Sequence, residues 1–292
     1  MLNQRQIESF CEQGFLVLRQ FCPAATRQHI LELSKKHLDD RVVPYELESE
    51  LQYPGAPNAA SNGGQTIRRL KQAYDRAPTF ASWATNNELS SILEQLLKEP
   101  VYLVRSHHNC VMTKQPRFSS DSLWHQDIRY WRYSQRELIS AWLALGDETI
   151  NNGCLQVVPG SHRLSFSAEQ FDDDSFFIKQ LDENQRLLQQ KQYIELDAGD
   201  LVLFHCRLLH SATRNYTDQT KFTAVFTYRA ESDCPLADSR SASLTDVPLS
   251  LEGTSLEGTS LEGTSLEDTS FEGNSLEGIS EESNNNSADS MA

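Results

Sequence analysis

Between Leu123 and Trp131 the chain reads LWHQDIRYW, which sets His125 and Asp127 two positions apart among Trp124, Tyr130 and Trp131. On extended backbone, side chains at i and i+2 project from one face, so this imidazole and this carboxylate can grip one object. Two histidines and a carboxylate on one face of a metal, with further positions left open, form the donor set of non-haem iron oxygenases. A third ligand must then come from elsewhere. GDLVLFHCRLLHSATRN, residues 199–215, supplies two histidines: His205 inside an apolar strand-like run, and His210 just beyond it beside the small Ser211 and Ala212. A solvent-facing hydrogen-bonded pair is the competing explanation of His125 and Asp127, and core packing that of His205.

The elements that must carry these residues fall into two halves. NQRQIESFCEQG places Ile7, Phe10 and Cys11 at helical spacing with Gly14 next to stop the helix, and FLVLRQF follows as a strand. PAATRQHILELSKKHLDD and ELSSILEQLLKE predict two more helices, the second ending before Pro100. Val42 to Gly64, with Pro44, Pro54, Pro57 and a Gly pair, reads as a long loop suited to a lid. From residue 100 the character changes: VYLVRSHHNCVM, LISAWLALG, CLQVVPGS, YIELDAGDLVLFHC and KFTAVFTYR are β-branched or aromatic runs separated by turn residues. Helices followed by strands predict an α+β order, mainly β, with the strands closed as a sandwich or barrel. Alternation in KFTAVFTYR puts Lys221, Thr223 and Val225 on one face and Phe222, Ala224 and Phe226 on the other, beneath the helices. In VYLVRSHHNCVM the same alternation lets one of His107 and His108 face a pocket.

Charge narrows the functional classes. Eleven of the 41 acidic residues and none of the 26 basic ones lie from Asp246 onward, so a net of −15 leaves −4 on the remainder. No basic stripe for nucleic acid is present. From Ser250 the sequence repeats every five residues, SLEGTSLEGTSLEGTSLEDTS, a period that matches neither helix nor strand. One large apolar residue in five cannot offset the entropy of ordering the chain. Residues 240–292 are therefore expected to be a disordered tail, and residues 1–239 the folded domain. No apolar run approaches the roughly 20 residues of a membrane span, and the N-terminus lacks a basic start followed by an apolar block. The six cysteines show no CxxC spacing. A reducing, cytoplasmic setting is expected.

Taken in order, His125-Gln126-Asp127, then NNGCLQVVPGSHR, then DAGDLVLFHCRLLHSATRN resemble the phytanoyl-CoA dioxygenase family of iron(II)- and 2-oxoglutarate-dependent oxygenases. The resemblance extends over most of residues 5 to 230 and includes FCEQGFLVLRQF. It implies a double-stranded β-helix, a cupin-like jelly roll with helices packed on one sheet, its core within about residues 100–230. It also implies His125, Asp127 and His210 as iron ligands, and 2-oxoglutarate and dioxygen as co-substrates. The product side would be succinate, carbon dioxide and a hydroxylated small organic molecule. An intact Asp127 favours hydroxylation over halogenation, for which related enzymes lack that carboxylate.

One position departs from the family pattern. Eleven residues after the distal histidine, where the family places an arginine for the far carboxylate of 2-oxoglutarate, this chain has Lys221. Lysine supplies a charge-assisted hydrogen bond without the bidentate fork. Arg214 is the alternative cation. Trp142 matches a position lining the co-substrate pocket, and Ser211 lies one residue before the hydroxyl usual there. Arg129, Tyr130, Trp131 and His107 are candidates for the substrate entrance. His162 in PGSH reads as a turn residue. The rival function is a catalytically silent jelly-roll module that binds a metabolite in the same pocket.

Overall fold

The computed structural model describes residues 1–51 and 53–249, so the repeat tail expected to be disordered lies outside the described residues. Helix α1 (Gln4–Gln13) begins where Asn3 accepts from Gln6 N and Gln6 returns the bond, a reciprocal cap. It ends at Gly14, whose φ of +80° suits glycine and whose position leaves no room for a Cβ, since one would sit 2.4 Å from His162 Nδ1. Then come β1 (Phe15–Leu18), α2 (Ala24–Asp39), β2 (Tyr45–Leu47) and β3 (Ile67–Lys71). Three further helices follow, α3 (Ala73–Arg76), α4 (Pro78–Ala84) and α5 (Asn87–Leu97). The β-rich half comprises β4 (Val101–Lys114), β5 (Ser122–His125), β6 (Ile139–Ala144) and β7 (Leu155–Val157), then α6 (Asp182–Leu188) and β8 (Gln192–Ile194). It is completed by β9 (Leu201–His205), β10 (His210–Ala212), β11 (Lys221–Ala230) and β12 (Val247–Leu249).

These strands form two antiparallel sheets, the jelly roll expected from the sequence. The larger runs β1-β9-β6-β11-β4-β3-β2, with β12 paired to β4, and the smaller runs β5-β10-β7-β8. Period-two alternation divides the larger sheet into two faces. Leu201, Leu203, Phe222, Ala224, Phe226 and Tyr228 pack under Ile30, Phe80, Leu89 and Leu93 of the helices. Tyr228 donates its hydroxyl to the Ala84 carbonyl at 2.7 Å, tying α4 to β11. On the opposite face Trp142, Val202, Phe204 and Val225 meet Leu155, Val157 and Ile194 of the smaller sheet.

Three local expectations are corrected. The segment from Val42 to Gly64 is not all loop: β2 pairs with β3, and Glu48–Glu50 makes a 3₁₀ turn. The folded part does not stop at residue 239, because Val247–Leu249 pairs with Val101–Leu103 and buried Ser241 hydrogen-bonds back to β4. Both His107 and His108 face the cavity described below, since β4 bulges there. Phe226 pairs with Asn109 and the next residue, Thr227, pairs with Val104, which takes residues 105–108 out of the β11 ladder and breaks the alternation. No helix among the described residues is long and apolar enough to cross a membrane.

Candidate metal centre

The smaller sheet brings the separated histidines together. His210 opens β10 directly opposite His125, the last residue of β5, and their rings lie 4.3 Å apart. Asp127 follows at the start of a 3₁₀ turn, Asp127–Arg129, which is moored to the loop before β10. Ile128 N donates to the Cys206 carbonyl at 3.1 Å, and the Gln126 side chain donates to the Arg207 carbonyl. The PGSH turn clamps the same loop from the other side: Val158 N donates to the Leu209 carbonyl, and Leu209 N to Ser161 Oγ, each at 2.9 Å. The motifs NGC…PGSH and HS…N are thus the mechanical frame of His210.

Backbone carbonyls fix the tautomers. His125 Nδ1 sits 2.6 Å from the Leu123 carbonyl and His210 Nδ1 2.9 Å from that of Leu208. A carbonyl only accepts, so each Nδ1 carries the proton and each Nε2 presents a lone pair. Both Nε2 atoms point at Asp127 Oδ1, at 3.6 and 3.7 Å, too far for hydrogen bonds. Burial, with His125 adding to it, pushes His210 down to about 4, which keeps its ring neutral near pH 7. Asp127 is 2% exposed. Burial alone would raise its carboxyl, but His108, His210 and His125 hold it far below the ordinary carboxylate range. Its Oδ2 has no hydrogen-bond partner, nor does His108 Nδ1, 3.6 Å away. Two lone pairs and an unsatisfied carboxylate converging on one point are a donor set suited to a divalent cation. Among the described residues, His125, Asp127 and His210 are the group of three or more potential ligands that converges in this way.

The triad opens into a cavity of about 440 Å³ between the sheets. Trp142, Ser211, Lys221, Tyr130, Trp131 and His107 all line it. His107 stacks on Trp131 with ring centroids 5.0 Å apart and meets Ser241 Oγ at 2.7 Å. Three expected candidates sit elsewhere. Arg129 turns out of the cavity and lays its guanidinium 3.5 Å over the Phe171 ring. Arg214 pairs with Asp121 at 2.8 Å, away from the cavity lining. His205 is held by Glu137 at 2.9 Å. His162 is a turn residue, as read from PGSH, with Nε2 on the Cys11 carbonyl.

Sequence reasoning missed Arg68, Lys114 and Glu148. Glu148, fully buried, accepts from Lys221 Nζ at 2.8 Å, Thr223 Oγ1 at 2.5 Å and Trp142 Nε1 at 3.1 and 3.2 Å. The available signal was the pair of carboxylates, Asp147 and Glu148, that closes the apolar strand in LALGDE. A larger hollow of about 600 Å³ lies beside α2 and α4, lined by Phe21, Thr26, His29 and Trp83, but among the described residues no cluster of ligand atoms converges there.

Residues 10–223 match the family model of phytanoyl-CoA dioxygenase. The chain belongs to that family. It is 24% identical to the peroxisomal phytanoyl-CoA dioxygenase of Homo sapiens over 87% of this chain and 75% of the relative. It is 23% identical to the ectoine dioxygenase of Sphingopyxis alaskensis, over 80% and 77% of the two chains. Among solved structures, EctD from S. alaskensis with 2-oxoglutarate and 5-hydroxyectoine superposes with a TM-score of 0.67 at 21% identity, over 80% of this chain and 78% of that one. The epimerase SnoN, in complex with Fe3+, alpha ketoglutarate and nogalamycin RO, gives 0.64 at 20% identity, over 80% and 85%. Family membership and fold thus agree with the geometry.

Proposed function

We propose that this protein is an iron(II)- and 2-oxoglutarate-dependent dioxygenase that hydroxylates a small organic substrate. The convergence of His125 Nε2, His210 Nε2 and an otherwise unpartnered Asp127 carboxylate carries the reading, within a family whose named members are dioxygenases. These three residues would hold the iron. When bound, it would supply the redox chemistry that couples loss of carbon dioxide from the oxo acid to insertion of oxygen into a substrate C–H bond.

The chain's own contribution is placement. The Leu123 and Leu208 carbonyls lock both imidazoles with Nε2 inward, so no reorganisation is needed on metal binding. The strand register sets the two histidines face to face, and the Asp127 turn brings the carboxylate under them. Trp142, Ser211, Lys221 and their neighbours bound the co-substrate end of the cavity, and Tyr130, Trp131 and His107 form the wall where the substrate would sit. Apolar packing of Trp142 and Val225 against Leu155 and Val157 closes the sandwich beneath the cavity and excludes water from that side. The catalytic domain is residues 1–249, and its setting is the cytosol.

Uncoupled turnover tests the reading. With Fe(II), dioxygen and 2-oxoglutarate, the protein should release succinate, and His125→Ala or Asp127→Ala should bind no iron and release none while keeping the native circular dichroism. Stoichiometric Fe(II) retained by both folded variants would remove this site from consideration.

A further inference from the structure

At the co-substrate end of the cavity, cations outnumber the carboxylates paired with them. Arg69 Nη2 lies 2.6 Å from Glu46 Oε2, Arg68 Nη1 3.6 Å from Glu48 Oε2, and Lys221 Nζ 2.8 Å from Glu148 Oε2. Lys114, at the end of β4, lines the same cavity and is 6% exposed. Among the described residues, no carboxylate oxygen comes within 4.0 Å of its ammonium, whose one acceptor is the Ser120 carbonyl at 3.1 Å. Two of its three protons are left to be donated.

The register sharpens the contrast. Lys114 and Lys221 are direct partners across β4 and β11, an arrangement in which like charges repel. Glu148 relieves Lys221 alone, because its two oxygens already take Lys221, Thr223 and both contacts from the Trp142 indole. An incoming carboxylate at Lys221 would lie against the Glu148 carboxylate, which already pairs with that ammonium at 2.8 Å. At Lys114 it would meet a cation bonded only to the Ser120 carbonyl. Burial, reinforced by Arg68 and Lys221, pushes Lys114 down to about 7, so an arriving anion also restores the charge that burial disfavours.

We propose that Lys114, rather than Lys221, grips the remote carboxylate of the 2-oxo acid, and that Glu148 determines this by occupying Lys221. The assignment rests on the dioxygenase reading above. Lys221 is then a structural cation, and the departure from the family's arginine is compensated from the neighbouring strand. Arg68, hydrogen-bonded to Ser120 Oγ at 3.1 Å, supports the same end of the cavity from β3.

The test is anaerobic calorimetry on the Fe(II)-loaded protein with two probes, 2-oxoglutarate and 2-oxovalerate, which lacks the remote carboxylate. Lys114→Met should weaken 2-oxoglutarate by at least roughly tenfold, the scale of one charge-assisted hydrogen bond. It should leave 2-oxovalerate within about twofold, because the keto-acid end is untouched. Lys114→Met removes an unpaired buried cation and should fold. The double variant Lys221→Met/Glu148→Gln removes the neighbouring pair together, leaving no buried net charge, and should bind 2-oxoglutarate within about threefold of wild type. Normal affinity in Lys114→Met with loss in the double variant would return the role to Lys221 and overturn the proposal alone. Failure of wild type to bind either probe would overturn the dioxygenase reading and the proposal with it.

Discussion

The two ends of the cavity are both buried and both charged, yet they treat their charges in opposite ways. Around Glu148 every polar atom is answered: one carboxylate takes a lysine, a threonine and an indole. Around Asp127 the atoms face each other at 3.6 to 3.7 Å without bonding, and Oδ2 has no partner. A satisfied buried pair needs nothing further and holds the sheet together. An unsatisfied one costs free energy until a ligand arrives, and that cost marks where ligands belong. Lys114, unpaired beside the paired Lys221, extends the same distinction to the cations.

The largest effect should come from breaking the satisfied end. Glu148→Gln strands Lys221 as a buried charge and should cost about 3–5 kcal/mol in denaturant unfolding, most of it recovered in Lys221→Met/Glu148→Gln. Equal losses in the single and double variants would show that packing, not charge, dominates there.

A smaller effect concerns pH. Lys114 is faced by Arg68 from β3 and Lys221 from β11, with Glu48 and Asp121 acting in the opposite sense, and it titrates at about 7 in the free protein. Below that pH the cation is already present. Above it, binding of the remote carboxylate must take up a proton, so the Kd for 2-oxoglutarate should rise by up to about tenfold per pH unit toward pH 9. The rise should be absent in Lys114→Met, and a flat wild-type profile would contradict the unpaired-lysine account.

Smallest of all should be Arg214→Ala. Its guanidinium is 32% exposed and paired with Asp121, so about 0–1 kcal/mol of stability is at stake. Oxo-acid affinity measured in parallel should be unchanged, and a clear loss would bring Arg214 back as an anchor.

Legibility in the sequence followed the range of the interaction. The stop at Gly14 and the alternation in β11 are local and were readable from spacing. So was the His125–Asp127 pair, while His210 needed the ordered motifs between them. The Lys221–Glu148 bond joins positions 73 residues apart, and no local pattern encodes it. Nor does any pattern announce the β4 bulge, which shows only in the pairing with β11 and turns both His107 and His108 to the cavity. Residues 241–249, SASLTDVPL after Arg240, have the composition of a linker, and only pairing of Val247–Leu249 with β4 makes them part of the fold. Arg129 follows the ligand pair in sequence but is drawn aside by the Phe171 ring.

The central claim is that His125, Asp127 and His210 hold an iron that the oxo acid then chelates. Anaerobic addition of Fe(II) followed by 2-oxoglutarate, monitored by visible absorption, tests it most directly. The account predicts a charge-transfer band that requires both additions and is missing in Asp127→Ala. No band from folded wild-type protein, or an equal band from Asp127→Ala, would contradict it.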